Sequence, residues 1–139
     1  MNLRQIKECF FLGYTLIFLI SNDKDREVLL LKRKNEPAKG KLSGVGGHIE
    51  LNENKYQCAV RELQEETGII TDKLNYHGYS PEIKSHVFYG LVENFYPLSL
   101  PVRTTEGVLN KYKLKDINNL GLDEIIKGLL IEIIMENEL

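Results

Sequence analysis

Three glutamates, Glu62, Glu65 and Glu66, stand within five residues of one another, with Arg61 directly before them and Glu53 eight residues before Arg61. Carboxylates gathered this closely can move a proton. They can also hold a hard divalent cation such as Mg²⁺, which takes oxygen ligands and binds through a few carboxylates together with substrate phosphates. Local sequence decides whether the three acids meet. Asn54 is a good N-cap, Gln57 three residues on completes a capping-box start, and Gly68 supplies a stop, so the sequence predicts a helix over residues 55–67. Tyr56, Ala59, Val60, Leu63 and Thr67 recur at helical spacing and form its buried stripe. At roughly 100° per residue the three glutamates then share an arc about 100° wide, away from that stripe. Like charges so placed destabilise a helix by roughly 0.2–0.5 kcal/mol per pair, and these lie toward the negative end of the helix dipole. A compensating cation is one answer. Plain solvation of an acidic face is the other.

The wider spacing separates the two. Gly47, five residues, Glu53, seven residues, and then Arg61-Glu62-Leu63-Gln64-Glu65-Glu66-Thr67-Gly68-Ile69 resembles the full signature of the Nudix hydrolases, with every fixed position filled. The resemblance implies hydrolysis of a nucleoside diphosphate linked to a further group, with Mg²⁺ or Mn²⁺ as cofactor. It implies that Glu62, Glu65 and Glu66 are metal ligands, joined by the backbone carbonyl of Gly46, and that Glu53 and Arg61 support the catalytic acids. Glu106, in the pair Glu106-Gly107, resembles one more acid found beyond the signature in many members, a metal ligand or a general base. Glu62 and Glu106 are both candidates for that base. Arg61 also fits on its own chemistry, because a planar guanidinium beside the acid face can hold a carboxylate in one orientation.

The elements that must position these residues can be read in outline. The apolar run Phe10 to Ile20 and the run Glu27 to Arg33, separated by the polar turn Ser21 to Asp25, are expected to be neighbouring strands of a hairpin. Lys34 to Lys41 is a basic loop leading into Leu42-Ser43-Gly44-Val45-Gly46-Gly47. The glycines let the backbone approach a ligand closely, so Lys39, Lys41, Ser43 and Gly47 are the candidate substrate contacts. Leu42 and Ser43 stand where related enzymes that cleanse oxidised purine triphosphates carry Trp and Asn, which argues against an oxidised-guanine substrate. Strands are expected over Asn75–Tyr79, Ile83–Phe95 and Val108–Leu114, a loop over Pro97–Thr105, and a second amphipathic helix over Leu122–Met135. His77 and His86 lack a second metal-ligand type at suitable spacing and are read as structural. Cys58 is read as a small packing residue.

The resulting pattern is α+β, a mixed sheet sandwiched between helices, as the Nudix resemblance implies. The 139 residues fit one domain over 1–139. A net charge of −2 argues against duplex nucleic acid as a partner. The eleven-residue apolar run is too short to span a membrane, and two distant cysteines suit a cytoplasmic protein, monomer or homodimer. The expected partner is a small nucleotide. A nucleoside triphosphate cleaved to monophosphate and pyrophosphate ranks first, ahead of ADP-ribose or other nucleotide sugars and dinucleoside polyphosphates. A Nudix-fold domain that senses a nucleotide without cleaving it is the rival from another class.

Overall fold

The computed structural model describes residue 2, residues 11–36 and residues 38–139. Cys9, Phe10 at the start of the first apolar run, and Pro37 in the basic loop lie outside the described residues. Among the described residues seven strands form one open mixed sheet: β1 Tyr14–Ser21, β2 Glu27–Arg33, β3 Leu42–Ser43, β4 Asn75–Ser80, β5 Ser85–Val92, β6 Val102–Arg103 and β7 Gly107–Lys113. Their order is β4-β5-β1-β2-β7-β6, with β3 beside β2. β1 runs parallel to β5, and the other pairings are antiparallel. Helix α1, Lys55–Thr67, covers one face over Ile17, Leu29 and Leu109; helix α2, Glu124–Glu136, covers the other over Leu16, Phe18 and Leu30. The fold is therefore the α+β sandwich expected. Among the described residues no helix is long and apolar enough to cross a membrane.

The expected hairpin is present but split. β1 and β2 pair at Ile20 and Val28, and toward the other end of the strands the segment Gly44–His48 wedges between them. Ile17 N–H donates to the Val45 carbonyl at 2.6 Å, Val45 N–H returns a bond to Ile17 at 3.0 Å, and Thr15 N–H reaches the Gly47 carbonyl at 2.8 Å. Glycine makes the wedge possible, because a Cβ on Gly46 would run into the Thr15 carbonyl and one on Gly44 into that of Ile17. One consequence organises the molecule. The start of β1, the end of β2, the start of β5 and the start of β7 share one end of the sheet, since Tyr14 pairs with Ser85 and Arg33 with Gly107.

Other boundaries shift for local reasons. The strand expected over Ile83–Phe95 is confined to Ser85–Val92, and Phe95 turns inward from the following loop to join the α1 core. The loop expected over Pro97–Thr105 contains β6, a two-residue edge strand on β7. Leu122 precedes α2 and bridges to Leu42; Asp123 caps the helix instead, accepting from Ile125 N–H at 2.9 Å.

Candidate active site

Helix α1 has the bounds its caps predict. The Asn54 side chain accepts from Gln57 N–H at 2.7 Å, and the Gln57 side chain accepts from Asn54 N–H at 2.9 Å. Gly68 ends the helix at φ 75°, its N–H on the Gln64 carbonyl. The helix is rolled slightly from the expected stripe. Cys58, Ala59, Leu63 and Thr67 are fully buried, while Tyr56 and Val60 are only half-buried. The roll carries Cys58 under the wedge, its thiol 3.3 Å from the His48 carbonyl, and burial pushes that thiol up to about 11. This is a packing cysteine.

On the outer side Arg61 organises the acids. Its Nε and Nη2 grip Glu53 at 2.9 and 2.7 Å, Nη2 also donates to the His48 carbonyl at 3.0 Å, and Nη1 reaches Glu62 at 2.9 Å and Glu65 at 3.1 Å. Glu53 in turn accepts from Glu50 N–H at 2.8 Å. Hydrogen bonds from Arg61 hold the Glu53 carboxyl down at about 2. The structure thus places Glu53 as the anchor of Arg61, apart from the converging acids, and Glu65 as an exposed partner of the same guanidinium.

Among the described residues Glu66 has no such neutralising partner. It is half-buried between Glu62 and Glu106, with a backbone hydrogen bond to Gly46; burial, then the neighbouring Glu106 and Glu62 charges, push its carboxyl up to about 8. Burial also raises Glu62, against the pull of Arg61. Glu62 lies hard against the wedge: a Cβ on Gly47 would occupy the space of its carboxylate. Glu106 is delivered by a tight turn in which the Thr104 hydroxyl accepts from the Glu106 and Gly107 N–H groups, each at 3.2 Å. Gly107, at φ 156°, packs where a Cβ would strike the Lys32 carbonyl. Thr104 was not singled out in the sequence, although a Thr two residues before a Glu-Gly pair is a recognisable turn signal.

The remaining candidates spread out. Lys39 and Lys41 are exposed on the turn between β2 and β3, and among the described residues neither is ion-paired with the acids. Ser43 is half-buried in β3 opposite Leu31. His77 is structural as expected, its ring nitrogens 2.8 and 3.5 Å from Glu132 and Glu136 of α2.

A divalent cation fits the chemistry of this donor set. All its donors are hard oxygens, and Glu66 is a half-buried carboxyl among like charges. Among the described residues the Gly46 carbonyl accepts no hydrogen bond, whereas those of Val45 and Gly47 are taken. Among the described residues no three His, Cys, Asp or Glu side chains are yet drawn into a cage. Arg61 accounts for that, because it holds Glu62 and Glu65 toward itself.

Fold and site together set the acids of helix α1 beside the glycine wedge. A family model described as the NUDIX domain matches residues 13–114, and the chain belongs to the Nudix hydrolase family. A stretch of 48 residues, 34% of this chain and 28% of its relative, is 48% identical to an ADP-ribose pyrophosphatase of Methanocaldococcus jannaschii. Another of 80 residues, 55% of this chain and 29% of its relative, is 31% identical to the NAD-capped RNA hydrolase NudC of Vibrio cholerae. The chain thus spans less than a third of the length of these curated relatives. Among solved structures, the NUDIX domain of Shewanella oneidensis NrtR complexed with ADP ribose matches with TM-score 0.71 at 19% identity over the whole of both chains. A C. elegans Ap4A hydrolase matches with TM-score 0.67 at 19% identity over 86% of this chain and 94% of that one. These two are likenesses of fold.

Proposed function

We propose that this chain is a divalent-cation-dependent hydrolase that cleaves the phosphoanhydride of a nucleoside diphosphate linked to a second group, with ADP-ribose as the first substrate to test. The observation that carries the reading is the convergence of Glu62 and Glu106 on the half-buried Glu66, which has no cationic partner among the described residues. The relatives' names favour ADP-ribose over the nucleoside triphosphate that the sequence ranked first.

In this reading Glu62, Glu66, Glu106 and the Gly46 carbonyl hold Mg²⁺ or Mn²⁺, with Glu65 able to join them by leaving Arg61. The bound cation supplies charge neutralisation of the diphosphate and polarisation of its phosphorus. Arg61, anchored by Glu53, fixes the orientation of Glu62 and acts as a positioning residue. Water attacks one phosphorus in line, the anhydride P–O bond breaks, and the proton lost by the water passes to a carboxylate, Glu62 or Glu106. From ADP-ribose the products are AMP and ribose 5-phosphate. Gly47 adjoins Glu62, and in this reading Ser43 is a further substrate contact while the exposed Lys39 and Lys41 offer cations to an anionic substrate.

The test is phosphomonoester release from ADP-ribose, nucleoside triphosphates, NAD and dinucleoside polyphosphates, each with Mg²⁺, Mn²⁺ or EDTA. Cation-dependent cleavage that Glu66→Gln abolishes supports the proposal. Binding of ADP-ribose without cleavage by the wild-type chain would move the assignment to a sensing domain.

A further inference from the structure

Helix α2, on the sheet face away from the acids, is more apolar than its own fold uses. Apart from its glutamates, Lys127 and Gly128, every residue of α2 is Ile, Leu or Met. The sheet takes Ile126, Leu130 and Ile133, which are buried, whereas Ile125, Ile131 and Met135 are 39%, 36% and 74% exposed. At about 100° per residue these three fall with Gly128 and Glu132 in an arc about 120° wide, opposite the buried stripe. Ile125, Gly128, Glu132 and Met135 also recur at steps of three, four and three residues, the spacing of a seam between two helices. Packing within the chain does not call for Gly128. A Cβ there would meet nothing within 4 Å among the described residues, and glycine weakens a helix interior relative to alanine. On an outer face it lets a second backbone come close.

The charges beside this crest are sorted by sign. On one side a groove between α2 and the β1–β2 turn is lined by Lys24, Arg26, Lys113 and Lys115, against one acid, Asp25, and shares Ile131 and Met135 with the crest. Among the described residues none of those four cations is ion-paired. On the other side Glu132 and Glu136 line a groove with Glu82 and His77, and all three carboxylates are exposed.

We propose that α2 is the surface through which two copies of this chain associate, their helices crossing near Gly128 and running in the same sense. The sorting of charge selects both the partner and the arrangement. A twofold axis along α2 sets the basic flank of each copy against the acidic flank of the other. Helices running in opposite senses about a twofold would set like against like, and a partner of one sign would leave one flank unmatched. The association is independent of the hydrolase reading. Helix α1 and its acids cover the opposite face of the sheet, so both candidate active sites face outward.

Sedimentation velocity of the whole chain at rising concentration is the test. A reversible dimer is expected, with a dissociation constant on the order of 10 µM, the weak end for protein interfaces, and NaCl should loosen it by screening the flanks. Met135→Glu and Gly128→Gln should each raise that constant about 10-fold or more, as loss of an interface anchor does, with helix content by circular dichroism unchanged. Glutamine is a better helix former than glycine, so the second variant cannot owe its dissociation to a melted helix. Two double variants test the signs. Lys113→Glu with Lys115→Glu turns the basic flank net acidic, and Glu82→Lys with Glu136→Lys turns the acidic flank net basic. Each should be monomeric alone, and the two should pair when mixed. A wild type still monomeric at about 100 µM, well above the expected constant, would overturn the proposal. So would a dimer that Met135→Glu and Gly128→Gln both leave intact, or charge variants that fail to pair on mixing.

Discussion

Helices α1 and α2 each carry glutamates four residues apart, Glu62 with Glu66 and Glu132 with Glu136, and the two pairs have opposite fates. On α2 the carboxylates are 59% and 66% exposed and share His77. On α1 the Glu62 side chain is 14% exposed, Glu66 is half-buried, and Arg61, the only cation ion-paired with these acids among the described residues, is committed to Glu53, Glu62 and Glu65. Spacing alone does not separate a solvated acidic face from one that calls for a cation. Burial without a counter-charge does, because a desolvated carboxylate is costly until something pairs with it.

The sharpest way to break the comparison is to neutralise one acid of each pair. Glu66→Gln should lower turnover by roughly 10²- to 10⁴-fold, in line with the several kcal/mol that a site cation contributes, while Glu132→Gln leaves it within about twofold. Steady-state rates on the same substrate at saturating Mg²⁺ decide it; equal losses would mean that α1 has no special role. Next in size is the pairing cation. Arg61→Ala frees Glu62 and leaves Glu53 without its partner, so apparent Mg²⁺ affinity or activity should fall about 10- to 100-fold, as for other groups that orient ligands. His77→Ala should leave turnover as it was; its side chain is only 8% exposed, so losing its packing and its bonds to Glu132 and Glu136 should cost the fold about 1–3 kcal/mol. A magnesium titration of activity and a urea melt read the two effects separately.

How far the sequence reached follows the same division. The bounds of α1 and the acids on it were legible because caps and a 3.6-residue period are local. The expected Glu65 position was less so: its carboxylate lies on Arg61, four residues away, and sequence does not say which of several acids an arginine will choose. The wedge between β1 and β2 was not legible, since it depends on Gly44 and Gly46 meeting β1 carbonyls some thirty residues earlier in the chain. β3 and β6, two residues each, are too short to carry a period. The role of Cys58 under the wedge followed its expected small-packing character.

The wedge yields a smaller prediction within α1 itself. Gly47→Ala places a methyl in the space of the Glu62 carboxylate, so Glu62 must move while the buried face of the helix is untouched. Activity should fall about tenfold, since small misplacements of a reacting group are costly. The melting temperature should change little, and a matching collapse in stability would show that the glycine serves the fold and not the site.

The smallest effect concerns stability against pH, where the acids around α1 should oppose one another. For Glu66 the folded carboxyl is raised to about 8 from an ordinary 4.5. Below 4.5 both folded and unfolded chains hold the proton and the stability linked to it is complete. As pH rises from 4.5 through about 8 the unfolded chain releases the proton first, so stability is lost. Glu53, lowered to about 2, has the opposite sign: its contribution is complete above 4.5 and is lost as pH falls toward 2. In EDTA the melting temperature should therefore decline between pH 5 and 8, and Mg²⁺ should remove the decline by pairing with the ionised Glu66. Glu66→Gln should be flat over the same interval with or without the cation. Parallel wild-type curves in EDTA and Mg²⁺ would separate the raised carboxyl from cation binding and leave the contrast between the two helices one of burial alone.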